Sequence, residues 1–135
     1  WDIIQMEEEI SGKIYSSIKS FKKLFSRDTV CIGTAGTVTA LSAISLDLRR
    51  FTHNKIHKFI LTLENVRHIF STIKGLSSKA RAEYIPFELA RLDIIVPGTL
   101  ILFKLMESFG FREITVSNYG LLEGTLLDLY KKEHK

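Results

Sequence analysis

The chain has 135 residues, 45% of them apolar and 25% charged, a balance that gives one domain, or a large piece of one, a real core and excludes a disordered chain. Nineteen Lys and Arg against fifteen Asp and Glu leave a formal charge of +4; the lysines are scattered and no aromatics alternate with them, so no nucleic-acid-binding stripe is present. Cys31 is the only cysteine, which excludes an internal disulfide, makes a reducing compartment the default, and leaves the thiol as a small apolar strand residue.

The opening WDIIQMEEEI (1–10) has no initiator methionine and no signal-peptide architecture, and is read as the start of a fragment whose upstream part is missing. Ile3, Ile10, Ile14, Ile18, Phe21 and Phe25 recur at helical spacing, predicting a long amphipathic helix that ends near Arg27. Its acidic first half (Glu7, Glu8) and basic second half (Lys19, Lys22, Lys23) suit the helix dipole. TVCI (29–32) predicts a short strand, buried on both faces and stopped by Gly33; from Thr37, the positions Val38, Leu41, Ile44 and Leu48 predict a helix.

KIHKFILT (55–62) alternates like a strand, with Thr62 placed to cap the next helix. Val66, Ile69, Phe70 and Ile73 form one face of that helix, His68 points to solvent, and Gly75 closes it. Ser77 caps a short helix through KARAEY (79–84) that Pro86 ends. FELARLDIIVPGTLILFKLMESFG (87–110) predicts a mostly buried helix, broken or kinked midway at Pro97 and Gly98 and terminated by Gly110. REITVS (112–117) predicts a strand and LLEGTLLDLYKK (121–132) a final helix. Strands separated by helices imply an α/β fold with a small, mostly parallel sheet, and no repeat or linker suggests a second domain. The longest apolar run, IIVPGTLILF (94–103), is too short and too interrupted to span a membrane, so a soluble chain with no membrane partner is expected.

GTAGT (33–37) falls where the carboxyl end of a strand meets a helix, the usual ligand crevice of an open α/β sheet. Gly33 and Gly36 carry no β-carbon to hold an anion away, and the hydroxyls of Thr34, Thr37 and Thr39 are potential donors. No lysine follows, so this is neither a Walker loop nor a dinucleotide fingerprint. Spacing leaves two readings open: a phosphate-accepting loop, and an ordinary strand-to-helix turn capped by Thr34 or Thr37. His53 and His57 have i, i+4 spacing but no acidic third ligand nearby, which argues against a metal site. Arg91 and Asp93 sit in an apolar stretch, where they form either an internal ion pair or, for Arg91, a phosphate-facing group. Glu123 reads as a first-turn carboxylate.

Three segments in order, CIGTAGTVTALSAISLDL (31–48), LARLDIIVPGTLILFKLMESFG (89–110) and ITVSNYGLLEGTL (114–126), resemble the second domain of the exopolyphosphatase and guanosine pentaphosphate phosphatase family, within the actin-like, sugar-kinase-like superfamily. IHKFILTLENVRHIF (56–70) resembles the strand and helix between them. The resemblance covers nearly the whole chain. It implies a ribonuclease-H-like half-domain, residues 1–135 forming the C-terminal part of the second domain and lacking its first strands. It makes Gly33, Thr34, Ala35, Gly36, Thr37 and Arg91 phosphate-facing, and Gly120, Glu123 and Gly124 part of a connecting segment near the interdomain hinge. Asn118 and Leu122 stand where the family usually has Asp and Arg.

The resemblance also implies magnesium-dependent hydrolysis of a terminal phosphoanhydride in inorganic polyphosphate or guanosine pentaphosphate, a cytoplasmic role in the stringent response, contact with the rest of its own chain, and a homodimer. The general-base glutamate and the DxGGGS loop that goes with the metal have no counterpart in these residues, so no catalytic residue and no metal ligand is expected here, and the fragment alone is expected to be inactive. The alternative is a non-enzymatic binding or dimerisation module that keeps the half-fold.

Overall fold

In the computed structural model, residues 2–21, 24–26 and 28–134 are described, apart from the Lys19 side chain. Helix α1 (Ile3–Phe21) lies along α6 (Ile95–Phe109), with Ile14 and Ile18 buried and Glu7 paired to Lys104 at 2.7 Å. The expected end of this helix near Arg27 lies outside the described residues, as do Lys22 and Lys23. Phe25, expected on the helix face, follows the helix, and its ring packs against Phe109 with centroids 4.8 Å apart.

Three strands form the sheet: β1 (Ile32–Thr34), β2 (Ile60–Thr62) and β3 (Glu113–Ser117), in the order β1-β3-β2. β1 runs parallel to β3, with Ile32 opposite Thr115 and Thr34 opposite Ser117. β2 runs antiparallel to β3, with Leu61 opposite Ile114. The α/β class is therefore as expected, but the sheet is mixed where mostly parallel strands were predicted. Two long helices, α4 (Leu63–Ile73) and α6, separate β2 from β3 in place of the single crossover helix that joins a parallel pair.

The core lies between the sheet and the helices α2 (Gly36–Ser45), α4 and α6. Ala40, Leu41 and Ala43 from α2, Val66, Ile69, Phe70 and Ile73 from α4, and Ile95, Leu100, Phe103 and Met106 from α6 close over Leu61, Ile114 and Val116 of the sheet. The α4 face is the one its sequence periodicity predicts. Its start is fixed by a reciprocal cap: Thr62 Oγ1 accepts from the Asn65 N–H and Asn65 Oδ1 accepts from the Thr62 N–H, each at 3.1 Å. Ser77 caps α5 (Ser78–Tyr84) by accepting from the Ala80 N–H.

Three predicted elements differ from those observed. The first strand begins at Ile32 and includes Gly33, and it is exposed: Ile32 is 66% accessible because β1 is a sheet edge with β3 as its partner. Gly33 continues the strand because it pairs with Val116 of β3, and it is glycine because a β-carbon there would lie 2.8 Å from Val38 Cγ1 and 3.0 Å from Ile114 Cδ1. In the 55–62 stretch only Ile60–Thr62 is strand; His53–Ile56 forms the short helix α3, and Lys58 turns at φ 66. Ile56 is buried from that helix while Ile60 is 41% exposed, so the apparent alternation joins residues of two different elements.

Pro97, third, neither breaks nor kinks a long helix midway. It sits in the first turn of α6, where a missing N–H costs nothing, and Leu89–Arg91 ahead of it forms a separate 3-10 turn. Arg81 of α5 holds this segment in place, its Nη1 donating to the Leu92 carbonyl and its Nη2 to the Leu76 carbonyl, both at 3.0 Å. The last helix, α7 (Leu121–Glu133), buries no residue, and Leu121, Leu122, Leu126 and Leu127 are all exposed.

Gly110 ends α6 in the left-handed region, at φ 77, with open space where a β-carbon would go. Gly110→Ala should therefore cost about 1 kcal/mol through backbone strain alone. Urea denaturation should show a lower midpoint with an unchanged slope.

Candidate functional site

The carboxyl ends of the parallel pair β1 and β3 face the same way, and each runs directly into a helix: β1 into α2 at Gly36, β3 into α7 at Leu121. Between these helix starts lies an open hollow of about 660 Å³, lined among others by Thr34, Ala35, Gly36, Arg91, Gly120 and Glu123. The loops are stitched together across the chain, Thr34 Oγ1 donating to the Tyr119 carbonyl at 3.1 Å and Ser117 Oγ donating to the same oxygen at 3.0 Å.

A second cleft, of about 400 Å³, is lined by Phe25, Phe111 and Glu113. It lies at the amino ends of β1 and β3, the end of an α/β sheet that ligands avoid.

Ala35 occupies the N-cap of α2 at φ 72 and ψ 176, a conformation that is essentially glycine's own. No side chain caps this helix. The turn capped by Thr34 or Thr37 is thus not what forms. Thr34 is bonded to Tyr119, Thr37 Oγ1 stands against Gly98, and Thr39 Oγ1 donates back to the Ala35 and Gly36 carbonyls. The first turn of α2 consequently offers its N–H groups and the positive end of its dipole to the hollow with no side chain capping them.

Gly36 is a glycine for a reason internal to the fold: a β-carbon there would fall within the guanidinium of Arg91. Gly98 plays the matching part on the other side, since its β-carbon would lie 2.8 Å from Thr37 Oγ1. Arg91 reaches this position from the 3-10 turn, and its ion-pair partner is Glu88, Nε to Oε1 at 2.6 Å. An internal Arg91–Asp93 pair is therefore not formed. Residues two apart on a helical turn do not face each other, whereas residues three apart do.

On the β3 side, Glu123 Oε2 accepts from the Gly120 N–H at 2.7 Å, and this hydrogen bond holds its carboxyl below the usual glutamate range. Gly120 has no side chain to return the contact, so only half of a capping box forms. Gly124 has open space around it on the exposed α7. Asn118 Nδ2 donates to the His53 carbonyl, while Asn118 Oδ1 is buried without a partner. His57 Nδ1 accepts from the Asn118 N–H at 3.4 Å, and the His57 ring lies 4.6 Å from that of Tyr119. Cys31 lies just ahead of β1, half-buried, and burial pushes its thiol up.

Among the described residues no three His, Cys, Asp or Glu side chains converge. The hollow's Glu88 and Glu123 are already engaged by Arg91 and the Gly120 N–H. These residues do not by themselves fit a magnesium ion. Sequence reasoning passed over Glu88, although a glutamate three residues before an arginine is a legible pairing signal. No helix of the described residues is long and apolar enough to cross a membrane.

The sheet, its flanking helices and the loop at the parallel strand ends make this an actin-like α/β half-fold. A family model described as the Ppx/GppA phosphatase family matches residues 3–133, and the chain belongs to that family. Exopolyphosphatase 2 of Mycobacterium tuberculosis is 28% identical over 102 residues, a match covering 73% of this chain and 32% of that protein. A bifunctional 3-dehydroquinate synthase/phosphatase of Fusobacterium nucleatum is 32% identical over 113 residues, covering 82% of this chain and 16% of that one. The chain thus spans a third or less of the length of these relatives.

Among solved structures, the crystal structure of the Aquifex aeolicus Ppx/GppA family member superposes with a TM-score of 0.84 at 25% identity, over 98% of this chain and 42% of that chain. An exopolyphosphatase from Cytophaga hutchinsonii shares the fold with a TM-score of 0.74 at 19% identity, over 93% of this chain and 42% of its own.

The geometry yields two expected outcomes. Ala35→Gly should stabilise the chain by about 1 kcal/mol, because it relieves a conformation that alanine adopts only at a cost; thermal melting with an unchanged or lowered midpoint would refute the strain. Glu123, whose folded carboxyl is depressed, strengthens the α7 start at neutral pH and loses that contribution as pH falls through its folded value. A carbon-13 titration of its carboxyl should give a midpoint below 4.5, with the Gly120 amide moving in step; a midpoint at or above that value contradicts the contact.

Proposed function

We propose that this chain forms the phosphate-facing wall of a phosphohydrolase that cleaves terminal phosphoanhydrides of inorganic polyphosphate or guanosine pentaphosphate. In this reading residues 1–135 are part of the second of two actin-like domains. The observation that carries it is the convergence, at one hollow, of the uncapped start of α2 and the Arg91 guanidinium across Gly36. Helix N–H groups and an arginine fork are the donors that a phosphoryl group requires. Family membership and the exopolyphosphatase among the relatives point to the same chemistry.

In the hydrolysis, a water oxygen bonds to the terminal phosphorus, the bridging P–O bond breaks, and the electron pair leaves on the shortened chain while orthophosphate departs. The transferring group spreads negative charge over its equatorial oxygens, and fixed donors aimed at them lower the barrier. Gly33, Thr34, Ala35, Gly36 and Thr37 form the loop that brings the α2 start to these oxygens, and Arg91 faces them from beside that start, over Gly36. Gly120, Glu123 and Gly124 belong to the segment leading away toward the hinge. The base that orients the water, and the residues that hold magnesium, lie outside this chain, so the purified 135-residue piece should release no phosphate from either substrate.

The test is phosphate release from polyphosphate and from guanosine pentaphosphate by the full-length protein, with and without magnesium, comparing wild type with Gly36→Val. The valine side chain displaces Arg91 and crowds the helix start, so kcat/KM should fall by about a hundredfold in a variant whose circular dichroism is unchanged. Full activity in that variant would remove the loop from the site. No activity on either substrate from well-folded wild type would favour a binding or dimerisation module, the reading that Leu122, 70% exposed at the hollow in place of an arginine, speaks for.

A further inference from the structure

We propose that Glu88 is a positioning residue: it holds Arg91 across Gly36 so that the arginine's two Nη groups face the hollow. The inference deepens the phosphate-site reading and rests on it. Two bonds join the pair, the Arg91 N–H donating to the Glu88 carbonyl at 3.0 Å and the Arg91 Nε–H donating to Glu88 Oε1 at 2.6 Å. The carboxylate is the less exposed partner, 21% against 42% for the arginine side chain. It occupies only the Nε edge of the guanidinium. Among the described residues the Nη groups make no further ion pair, and they stand over Gly36 beside the start of α2.

This arrangement answers an electrostatic problem. A guanidinium at the start of a helix faces the positive end of the dipole and is repelled by it when no anion is present. The Glu88 carboxylate, at the rim of the same hollow, supplies the missing negative charge at the Nε edge of the guanidinium. With Nε engaged, the four Nη hydrogens remain as a planar fork, the geometry that binds phosphate oxygens in pairs. A guanidinium fixed in advance also loses less freedom when the anion arrives. Asp93 is not its partner, and among the described residues no second carboxylate pairs with Arg91.

The experiment is a set of full-length variants assayed for kcat and KM on the substrate the protein hydrolyses, together with the nitrogen-15 signal of the Arg91 Nε–H. Arg91→Ala should lose about a hundredfold in kcat/KM. Glu88→Ala should lose about tenfold, by misplacing the same group, and its Nε–H signal should shift and broaden. Glu88→Gln keeps an oxygen that accepts from Nε, so it should recover most of the activity and of the Nε–H signal. The double variant Glu88→Ala with Arg91→Ala should be no worse than Arg91→Ala, since Glu88 acts through the arginine.

Losses that multiply in the double variant, or a Gln variant as damaged as the Ala variant while the Nε–H signal stays unmoved, would overturn the positioning role and make Glu88 a group acting on its own. Full activity in Glu88→Ala together with a strong loss in Arg91→Ala would sink the positioning role and leave the phosphate site standing. An Arg91→Ala variant as active as wild type would instead bring down the phosphate-facing reading of Arg91 itself. If melting shows Glu88→Ala to be unfolded, Glu88→Ser serves as the truncation and the same outcomes apply.

Discussion

Two absent β-carbons decide how closely the start of α2 approaches the segment that leads into α6. At Gly36 the space is filled by the Arg91 guanidinium, and at Gly98 by the Thr37 hydroxyl. A side chain at Gly98 would press on Thr37 and through it on the packing of α2 against α6, whereas one at Gly36 would displace the movable Arg91 guanidinium and leave the layers in place. The same contact puts a cation at a helix start that has no side-chain cap. Gly98 thus serves the packing of α2 on α6, and Gly36 serves the construction of the hollow, within one contact between the two segments.

The charges around the hollow are balanced over very short stretches of chain. Glu88 answers Arg91, and Glu123 answers the Gly120 N–H. Each carboxylate is three residues from its partner, so each turn carries its own compensation and neither relies on a distant part of the fold. What is left unanswered is the start of α2 and the Nη face of Arg91, which point at the same space. An anion entering there completes the balance, whereas a cation meets repulsion from both.

What could be read from the sequence was what is decided within one or two turns. The α4 face of Val66, Ile69, Phe70 and Ile73, the Thr62 cap and the Gly110 stop are all local and all present. The strands were harder, because a three-residue strand has too little pattern to mark its ends: TVCI was read as buried, yet Ile32 lies on the edge. Lys55 to Thr62 looked like one alternating strand because a short helix and a strand happened to follow each other in phase. The direction of β2 is set by its pairing with β3, a distant segment of the chain, which no local spacing records. At the site, the sequence singled out the loop and Arg91. It assigned Gly36 to the ligand alone, since the arginine that fills its empty space comes from a distant segment, and it missed Glu88 by looking for the arginine's partner among the residues that follow.

β3 is the middle strand, although it is next to last among the elements in chain order. Among the described residues β1 and β2 each pair only with β3, so these two pairings cannot form until residues 113–117 are in place. During synthesis the helices form first, on local contacts, while Ile32 and Leu61 wait for partners that the ribosome delivers near the end of this segment. Ring closure over such a separation is slow relative to helix formation. Until it happens, both unpaired strands are open to wrong pairing. The speed with which these two pairings close, and the time β1 and β2 spend without β3, thus follow from the late place of one five-residue strand.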